Sequence, residues 1–285
     1  MRKNLFRLSV VFVLLLCLAG GYVYLDRWQR AEIFSVELGE SRWWRDPPQG
    51  TDEFYIGLGN GERLHAWHVP ATNADAPTIL YLHGSRWNLN SSVFRIERWA
   101  DMGYAILAID YRGFGESSQR LPSQASAVED ASAAMQELAR RQPLPERRFI
   151  YGHSLGGAIA IDLAARQGLP DFNGLIVEST FTRIQDMIAH SKWSQIPGLS
   201  LLITQPFDSL SAIQEIKNPL LVLHGTNDRI VPRAMSDALF QAGTGAPLRE
   251  LVHIEGGSHS NSSAHPEYQA AVQAFIDQAA ALPRR

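Results

Sequence analysis

The feature that most limits the possible folds is a series of short, wholly apolar runs that alternate with helix-length stretches. From residue 78 onward these runs read TILYLHG, YAILAID, RFIYGHS, GLIVEST, PLLVLHG and RELVHIEG. Strands that are apolar throughout are buried on both faces, and helices between such strands are typical of a parallel sheet. The sequence therefore predicts an α/β fold, a mostly parallel, twisted sheet flanked by helices.

The segment before these runs has a different pattern, EFYIGLGNGERLHAWHVP. Asn60-Gly61 is the favoured chemistry for a two-residue turn, and an alternating pattern resumes from Leu64. The sequence predicts an antiparallel hairpin ahead of the parallel strands.

The N-terminus carries an uncharged apolar run from Leu8 to Leu25, preceded by three basic residues. About 18 to 20 apolar residues are enough to cross a bilayer. The alternative is a cleaved signal peptide, whose apolar region is shorter and for which Ala19-Gly20-Gly21 is a poor cleavage site. The length of the run and the aromatic residues at its outer end favour a single-pass signal anchor. The basic residues place its N-terminus in the cytoplasm and the main domain on the far, extracytoplasmic side.

Composition excludes several classes of protein. The only cysteine, Cys17, lies in the apolar run, so a disulfide within the domain and a cysteine-based metal site are both excluded. The formal net charge is -3 and no basic stripe is present, which argues against a nucleic-acid partner. No phosphate-binding loop or His-Glu-x-x-His motif occurs, and we expect neither a metal nor another cofactor.

Reactive side chains follow several of the predicted strands, where the carboxyl ends of parallel strands meet at one edge of the sheet. Among them, Ser154 stands in Gly152-His153-Ser154-Leu155-Gly156, between a strand and a small-residue helix. This G-x-S-x-G pattern is typical of a strained turn that exposes a nucleophilic serine, with small neighbours that let strand and helix approach closely. A plain glycine-rich turn is the alternative.

A serine hydroxyl needs a base, and the base needs a third group to orient it. His259 follows the last strand in HIEGGSHS, and Asp228 follows the strand before it. The chain order serine, aspartate, histidine is the order that this strand-turn-helix arrangement uses. Glu178, at the end of GLIVEST, is the alternative acid.

Other polar residues have structural interpretations. Asp110 is expected to brace a loop at a strand end, and Asp208 to cap a helix. His153 adjoins the serine, but we expect its side chain to point away from it.

Acyl transfer also requires donors for a developing oxyanion. One is the backbone N–H of Leu155, the residue after the serine. The other comes from the loop after the first parallel strand, where the N–H of Ser85 is the first choice and that of Arg86 the second.

Together, the motifs YLHG, AIDYRGFGES, YGHSLGGAIA, VESTFT, PLLVLHGTNDRIVP and GGSHSN resemble those of α/β-hydrolase-superfamily serine hydrolases over nearly all of residues 50–281. Within the superfamily the chain resembles membrane-anchored, small-lid members described as serine aminopeptidase-like or esterase-like. The resemblance implies catalytic roles for Ser154, Asp228 and His259 and oxyanion donors at Ser85 and Leu155. One departure is HGSRW, where those relatives carry an asparagine-containing HGN.

The predicted organisation is an anchor over residues 1–30, a juxtamembrane tether over 31–49 and a catalytic domain over 50–285. The longest gap between strands, about 181–217, is rich in Trp, Ile, Leu and Pro. It is interpreted either as a small apolar lid that lines an acyl pocket or as packing of Ile196, Leu199, Leu201 and Leu202 on the sheet.

Three functions are consistent with these residues. The first is a serine hydrolase that cleaves carboxylic esters or thioesters of small or lipid-like molecules through an acyl-enzyme on Ser154. The second is a serine peptidase or aminopeptidase that acts on short peptides. The third is a non-catalytic binding scaffold on the same fold.

Overall fold

The alternating apolar runs form the predicted sheet in a computed structural model of the chain, which describes residues 2–59 and 61–283. The eight strands are β1 (Asp52–Gly57), β2 (Arg63–Val69), β3 (Thr78–Leu82), β4 (Ala105–Ile109), β5 (Arg148–His153), β6 (Gly174–Glu178), β7 (Leu220–Gly225) and β8 (Arg249–Ile254). They form one sheet in the order β1-β2-β4-β3-β5-β6-β7-β8. The strands from β4 to β8 in this order pair in parallel, and β2 pairs antiparallel with both β1 and β4.

Helices cover both faces of the sheet, as the apolar strands require. They are α1 (Arg2–Phe34), α2 (Leu89–Asp101), α3 (Gln124–Arg141), α4 (Leu155–Ala164), α5 (Ile184–Ala189), α6 (Ser209–Ala212), α7 (Arg233–Ala242) and α8 (Pro266–Ala281). One buried apolar cluster joins the sheet to α3 and α4, and a second joins its other face to α2 and α8. The predicted α/β class, parallel sheet and early hairpin are confirmed.

The turn of the hairpin is longer than the sequence predicts. The N–H of Leu58 donates to the Glu62 carbonyl at 2.8 Å, and the N–H of Gly61 donates to the Leu58 carbonyl at 3.0 Å. Gly61 has a φ of +84°, a left-handed conformation that glycine adopts without strain. These bonds leave a three-residue loop in place of the two-residue turn; Asn60 itself lies outside the described residues.

The segment between β6 and β7 contains only short helical elements, as expected for a small lid. Within it Leu199 is 6% exposed, whereas Ile196, Leu201 and Leu202 are 45%, 82% and 58% exposed. The interpretation that these four residues pack on the sheet is therefore wrong for three of them.

The N-terminal helix runs four residues beyond the predicted end of the anchor. From Phe6 to Phe34 it is long and apolar enough to cross a membrane. Its last turns belong to the α/β domain, because Gln29 is 5% exposed and the Phe34 ring is fully buried. The ring of Phe34 lies 6.4 Å from that of Phe114 and 6.1 Å from that of Phe207.

The segment after α1 also contacts the domain. The N–H of Arg45 donates to the Asn90 carbonyl at 3.1 Å, and the side-chain amide of Asn90 donates to the Arg45 carbonyl at 3.0 Å. This part of the predicted tether is held against the first turn of α2.

Phe34→Ala should destabilise the domain, because it removes a fully buried ring from a packed aromatic cluster. Such truncations cost about 3 to 5 kcal/mol. Urea unfolding of the full chain in detergent micelles measures the change. Phe12→Ala, at a position on the same helix that is 61% exposed, is the matched control. Equal midpoints for the two variants would show that the end of α1 does not pack on the domain.

Candidate active site

Ser154 lies in a tight turn between β5 and α4. Its φ is 55° and its ψ is -120°, a strained conformation for a residue with a side chain. The two flanking glycines permit this turn: a Cβ on Gly152 would lie 2.2 Å from the Gly156 carbonyl oxygen, and one on Gly156 would lie 2.1 Å from that of Leu82. The spacing of the G-x-S-x-G motif thus follows from backbone atoms that leave no room for a Cβ.

His259 lies in the loop after β8, within hydrogen-bond reach of the serine. Its Nε2 is 3.1 Å from the Oγ of Ser154, and its Nδ1 is 2.8 Å from the Oδ2 of Asp228. A carboxylate can only accept, so Nδ1 carries the hydrogen and, in the neutral ring, Nε2 is free to accept from the hydroxyl. The structure therefore brings these three predicted residues into one hydrogen-bonded chain.

Asp228 lies in the loop after β7, and its side chain is fully buried. Its Oδ1 accepts from the N–H groups of Ile230 and Val231 at 2.8 and 3.0 Å. Burial alone would raise the pKa of this carboxyl, but the hydrogen bond and charge of His259 and the two N–H groups outweigh it and lower the pKa below 3.8. The carboxylate is thus held ionised where it faces the imidazole.

Glu178, the alternative acid, has other partners. It is fully buried, and its Oε2 accepts from the hydroxyls of Tyr151 and Tyr268 at 2.5 and 2.9 Å. The Nε of Arg95 lies 3.9 Å from the same oxygen. The structure places Asp228, and not Glu178, on the ring nitrogen of His259.

Of the two predicted donors, Leu155 directly follows the serine, and Ser85 lines the same cavity as the serine. Neither N–H donates to an acceptor in residues 2–59 or 61–283. A Cβ on Gly84 would lie 3.3 Å from the Cβ of Ser154, so the loop that carries Ser85 closely approaches the serine. Arg86, the second choice for the oxyanion donor, has another partner, because its N–H donates to the Phe34 carbonyl at 2.8 Å.

A cavity of about 320 Å³ opens at these residues. Gly84, Ser85, Ser154, Ile230 and His259 contribute to its wall. No residue of 181–217 is among the described residues that line it, so the predicted lid does not line this cavity.

Sequence reasoning missed the contact that His153 makes with the histidine loop. Its Nε2 donates to the carbonyl of His259 at 2.7 Å, and the two rings lie 4.9 Å apart. Burial lowers the pKa of His153 well below its usual range, and the nearby charge of Arg95 adds to the effect. We expected only that the side chain of His153 points away from Ser154. The structure adds that its neutral imidazole holds the loop of His259 through this hydrogen bond.

Arg95 is the second residue that the sequence did not reveal. It lies on α2, is 3% exposed and lines the cavity. One of its terminal N–H groups donates to the Ser260 carbonyl at 3.1 Å. The carbonyls of the two successive loop residues, His259 and Ser260, are thus held by two buried side chains.

The other predicted roles are found where expected. The Asp110 carboxylate accepts from the N–H of Leu89 at 2.9 Å, and that of Asp208 accepts from the N–H of Ser211 at 3.1 Å. Across the described parts of the chain, no group of three or more His, Cys, Asp or Glu residues could hold a metal ion.

Comparison with known proteins agrees with the fold. The family model "Serine aminopeptidase, S33" matches residues 74–206. The uncharacterized protein YfhR of Escherichia coli K12 is 27% identical over 258 residues, which cover 88% of this chain and 86% of YfhR. The zebrafish (Danio rerio) lysophosphatidylserine lipase ABHD12 is 29% identical over 228 residues, which cover 67% of this chain and 58% of the lipase.

The esterase Pf2001 of Pyrococcus furiosus has a similar structure, with a TM-score of 0.67 at 19% identity, covering 84% of this chain and 99% of the esterase. The fold of the chain is the α/β-hydrolase fold, and over residues 74–206 its sequence is similar to the serine aminopeptidase family. These comparisons support hydrolase activity, and the printed names include an aminopeptidase family, an esterase and a lipase.

The lowered pKa of Asp228 predicts a loss of stability in acid. An unfolded aspartate has a pKa of about 3.9, so its contribution is fully present above that pH and is lost as the pH falls through the lower folded-state value. The unfolding free energy of the wild type should therefore fall more steeply from pH 5 to pH 3 than that of Asp228→Asn. Urea titrations at both pH values measure the slopes.

Asp101→Asn, a change at an exposed carboxylate at the end of α2, is the control and should keep the wild-type slope. If Asp228→Asn and the wild type lose the same stability on acidification, the carboxylate is not held by these hydrogen bonds.

Proposed function

We propose that this hydrolase cleaves carboxylic esters through an acyl-enzyme formed on Ser154. The observation that carries the proposal is the hydrogen-bonded chain from the Oγ of Ser154 through His259 to buried Asp228, at the wall of a cavity. A serine, a base and an orienting acid in this geometry are the requirements for nucleophilic acyl transfer.

In the proposed mechanism the Oγ of Ser154 attacks the ester carbonyl while the Nε2 of His259 takes its proton. The imidazolium then gives this proton to the leaving alcohol, and the acyl group remains on the serine. A water molecule, deprotonated by the same nitrogen, attacks the acyl-enzyme; the imidazolium then returns this proton to the Oγ of Ser154 as the acyl–oxygen bond breaks and the carboxylic acid leaves. Asp228 keeps the proton on Nδ1 and stabilises the imidazolium.

The oxyanion of each tetrahedral intermediate would lie between the N–H groups of Ser85 and Leu155. Support comes from their position beside Ser154 and from the lack of an acceptor for either N–H among the described residues. Leu155 is also the first residue of α4, where the helix dipole adds positive potential. Donors fixed in advance stabilise developing charge without reorganisation.

An ester substrate is favoured over a peptide by the charges at the cavity. The described residues that line it include Arg86 and Arg95 but no aspartate or glutamate. An aminopeptidase needs an anion for the ammonium group of its substrate, and this wall supplies none. The names of relatives also include a lipase and an esterase. A thioester would react by the same steps.

A single-pass membrane anchor is part of the proposal. The helix from Phe6 to Phe34 supports it, with basic residues before the apolar run. Basic residues stay on the cytoplasmic side of a membrane, so the catalytic domain would lie on the opposite side. A catalytic domain held at the membrane surface would have access to lipid-like esters.

The assignment of the acid predicts unequal effects of two substitutions. Asp228→Asn should lower kcat by about 10⁴-fold, because the imidazole loses the partner that holds its tautomer. Glu178→Gln should retain most of the activity, since its carboxylate faces two tyrosine hydroxyls and Arg95. Hydrolysis of p-nitrophenyl acetate by the full chain in micelles, with circular dichroism to check folding, measures both. A folded but inactive Glu178→Gln would contradict the assignment.

Substrate class is tested with two matched panels: p-nitrophenyl esters of graded acyl length and aminoacyl p-nitroanilides. We expect hydrolysis of the esters, abolished in Ser154→Ala, and little turnover of the anilides. The full chain is used because Gln29 and Phe34 are buried in the domain. Cleavage of anilides without a preference for esters would show a peptidase, and no turnover of either by the folded protein would favour the scaffold.

A further inference from the structure

Three large apolar side chains of the lid are exposed to solvent. Ile196, Leu201 and Leu202, which we call the lid patch, are 45%, 82% and 58% exposed. In the described parts of the chain they belong to neither of the two buried clusters, and they do not line the cavity at Ser154. Exposed apolar patches mark sites of interaction with proteins or membranes.

The lid is fastened to one turn of α1. The side-chain amide of Gln29 donates to the Leu202 carbonyl at 2.7 Å, and its oxygen accepts from the N–H of Thr204 at 2.8 Å. The amide of Gln205 donates to Asp26 at 2.9 Å. The lid patch is therefore held beside Asp26 and Gln29.

This turn follows directly on the apolar run of the helix. The 18 residues from Leu8 to Leu25 span about 27 Å at about 1.5 Å per residue, close to the roughly 30 Å of a bilayer's hydrocarbon core. The hydrocarbon edge therefore falls near Leu25. Gln29 lies four residues later, about 6 Å along the helix axis. The apolar side chains of interfacial segments are buried about 5 to 10 Å into the boundary between headgroups and acyl chains. Leucines about 6 Å above the hydrocarbon edge can therefore reach the acyl chains.

The residues around the patch are those of a membrane interface. Trp28 of α1 and Trp193 of the lid pack edge to face with ring centroids 5.1 Å apart. The Nζ of Lys192 lies 4.6 Å from the centroid of the Trp193 ring, and Arg27 is exposed. Tryptophan is enriched at both membrane–water interfaces, and lysine and arginine near the end of a spanning helix extend their charged groups to the interface. Helix and lid thus present one continuous surface of interfacial chemistry.

We infer that the lid patch inserts into the membrane leaflet from which α1 emerges, so that a lipid bilayer is the partner of this surface. The domain is then held by two points, the spanning helix and the lid. Two points of attachment fix its orientation, whereas a helix alone would leave it free to tilt.

This orientation places the cavity close to the lipid. Arg86 lines the cavity and is bonded to the carbonyl of Phe34, nine residues beyond Leu25. At about 1.5 Å per residue the cavity wall lies roughly 14 Å along the helix from the hydrocarbon edge. If the proposed esterase function holds, the substrates are esters carried in the membrane.

The docking itself is tested without any activity. The full chain with Cys17→Ser and Leu201→Cys is labelled with the fluorophore NBD and reconstituted into vesicles of phosphatidylcholine and phosphatidylglycerol (3:1). We expect blue-shifted emission that is quenched by lipids brominated on the acyl chains. The matched control is Leu144→Cys in the same background, which is 40% exposed and precedes the opposite end of the sheet at β5.

Equal, water-like emission from both positions would overturn the inference. So would a blue shift at position 201 that grows with the protein-to-lipid ratio, since a second copy would then cover the patch. An alkaline carbonate wash of the same vesicles checks that α1 remains inserted.

A second readout links the patch to turnover. The double variant Leu201→Ser, Leu202→Ser should hydrolyse water-soluble p-nitrophenyl acetate at the wild-type rate. Its hydrolysis of an ester embedded in vesicles should fall by about tenfold, with Leu144→Ser unchanged. Equal loss on both substrates, or no loss on either, would contradict the inference. If the wild type hydrolyses neither ester, the proposed function fails, while the fluorescence result still decides the docking.

Discussion

The close approach of β3, β5 and α4 around Ser154 is the constraint on which the rest of the site depends. Backbone carbonyls of Leu82 and Gly156 occupy the space that side chains at Gly156 and Gly152 would need. The chain can therefore turn within one strained residue, and its hydroxyl projects from the sheet edge. The loops after β7 and β8 end at the same edge, which brings Asp228 and His259 within hydrogen-bond distance.

A buried polar layer holds this arrangement in place. His153 and Arg95 donate to successive carbonyls of the histidine loop, and Glu178 stands behind them, bonded to two tyrosine hydroxyls. Removing one partner of a buried ion pair typically costs about 3 to 5 kcal/mol, because the other charge is left uncompensated. Glu178, a candidate for catalysis from its place in the sequence, thus belongs to the support beneath the site.

Sequence patterns predicted the features that depend on residues close together in the chain. Wholly apolar runs predicted the buried strands, and two glycines flanking Ser154 predicted a turn that only small residues permit. Contacts between distant segments left no such pattern. The N–H of Arg86 bonds to Phe34, and His153 bonds to His259, which in both cases joins residues far apart in the chain. The exposure of Leu201 likewise depends on which residues surround it in space. The hairpin turn was mispredicted because Asn60-Gly61 suits two loop lengths.

The most direct test of the central claim is whether Ser154 is an activated nucleophile. The full chain is treated with a fluorophosphonate and the modified residue is located by mass spectrometry of its peptides. We expect one adduct, on Ser154, that is absent from Ser154→Ala and forms much more slowly in His259→Ala. A folded protein that takes up no label, or takes it up on a different serine, would contradict the assignment of this site.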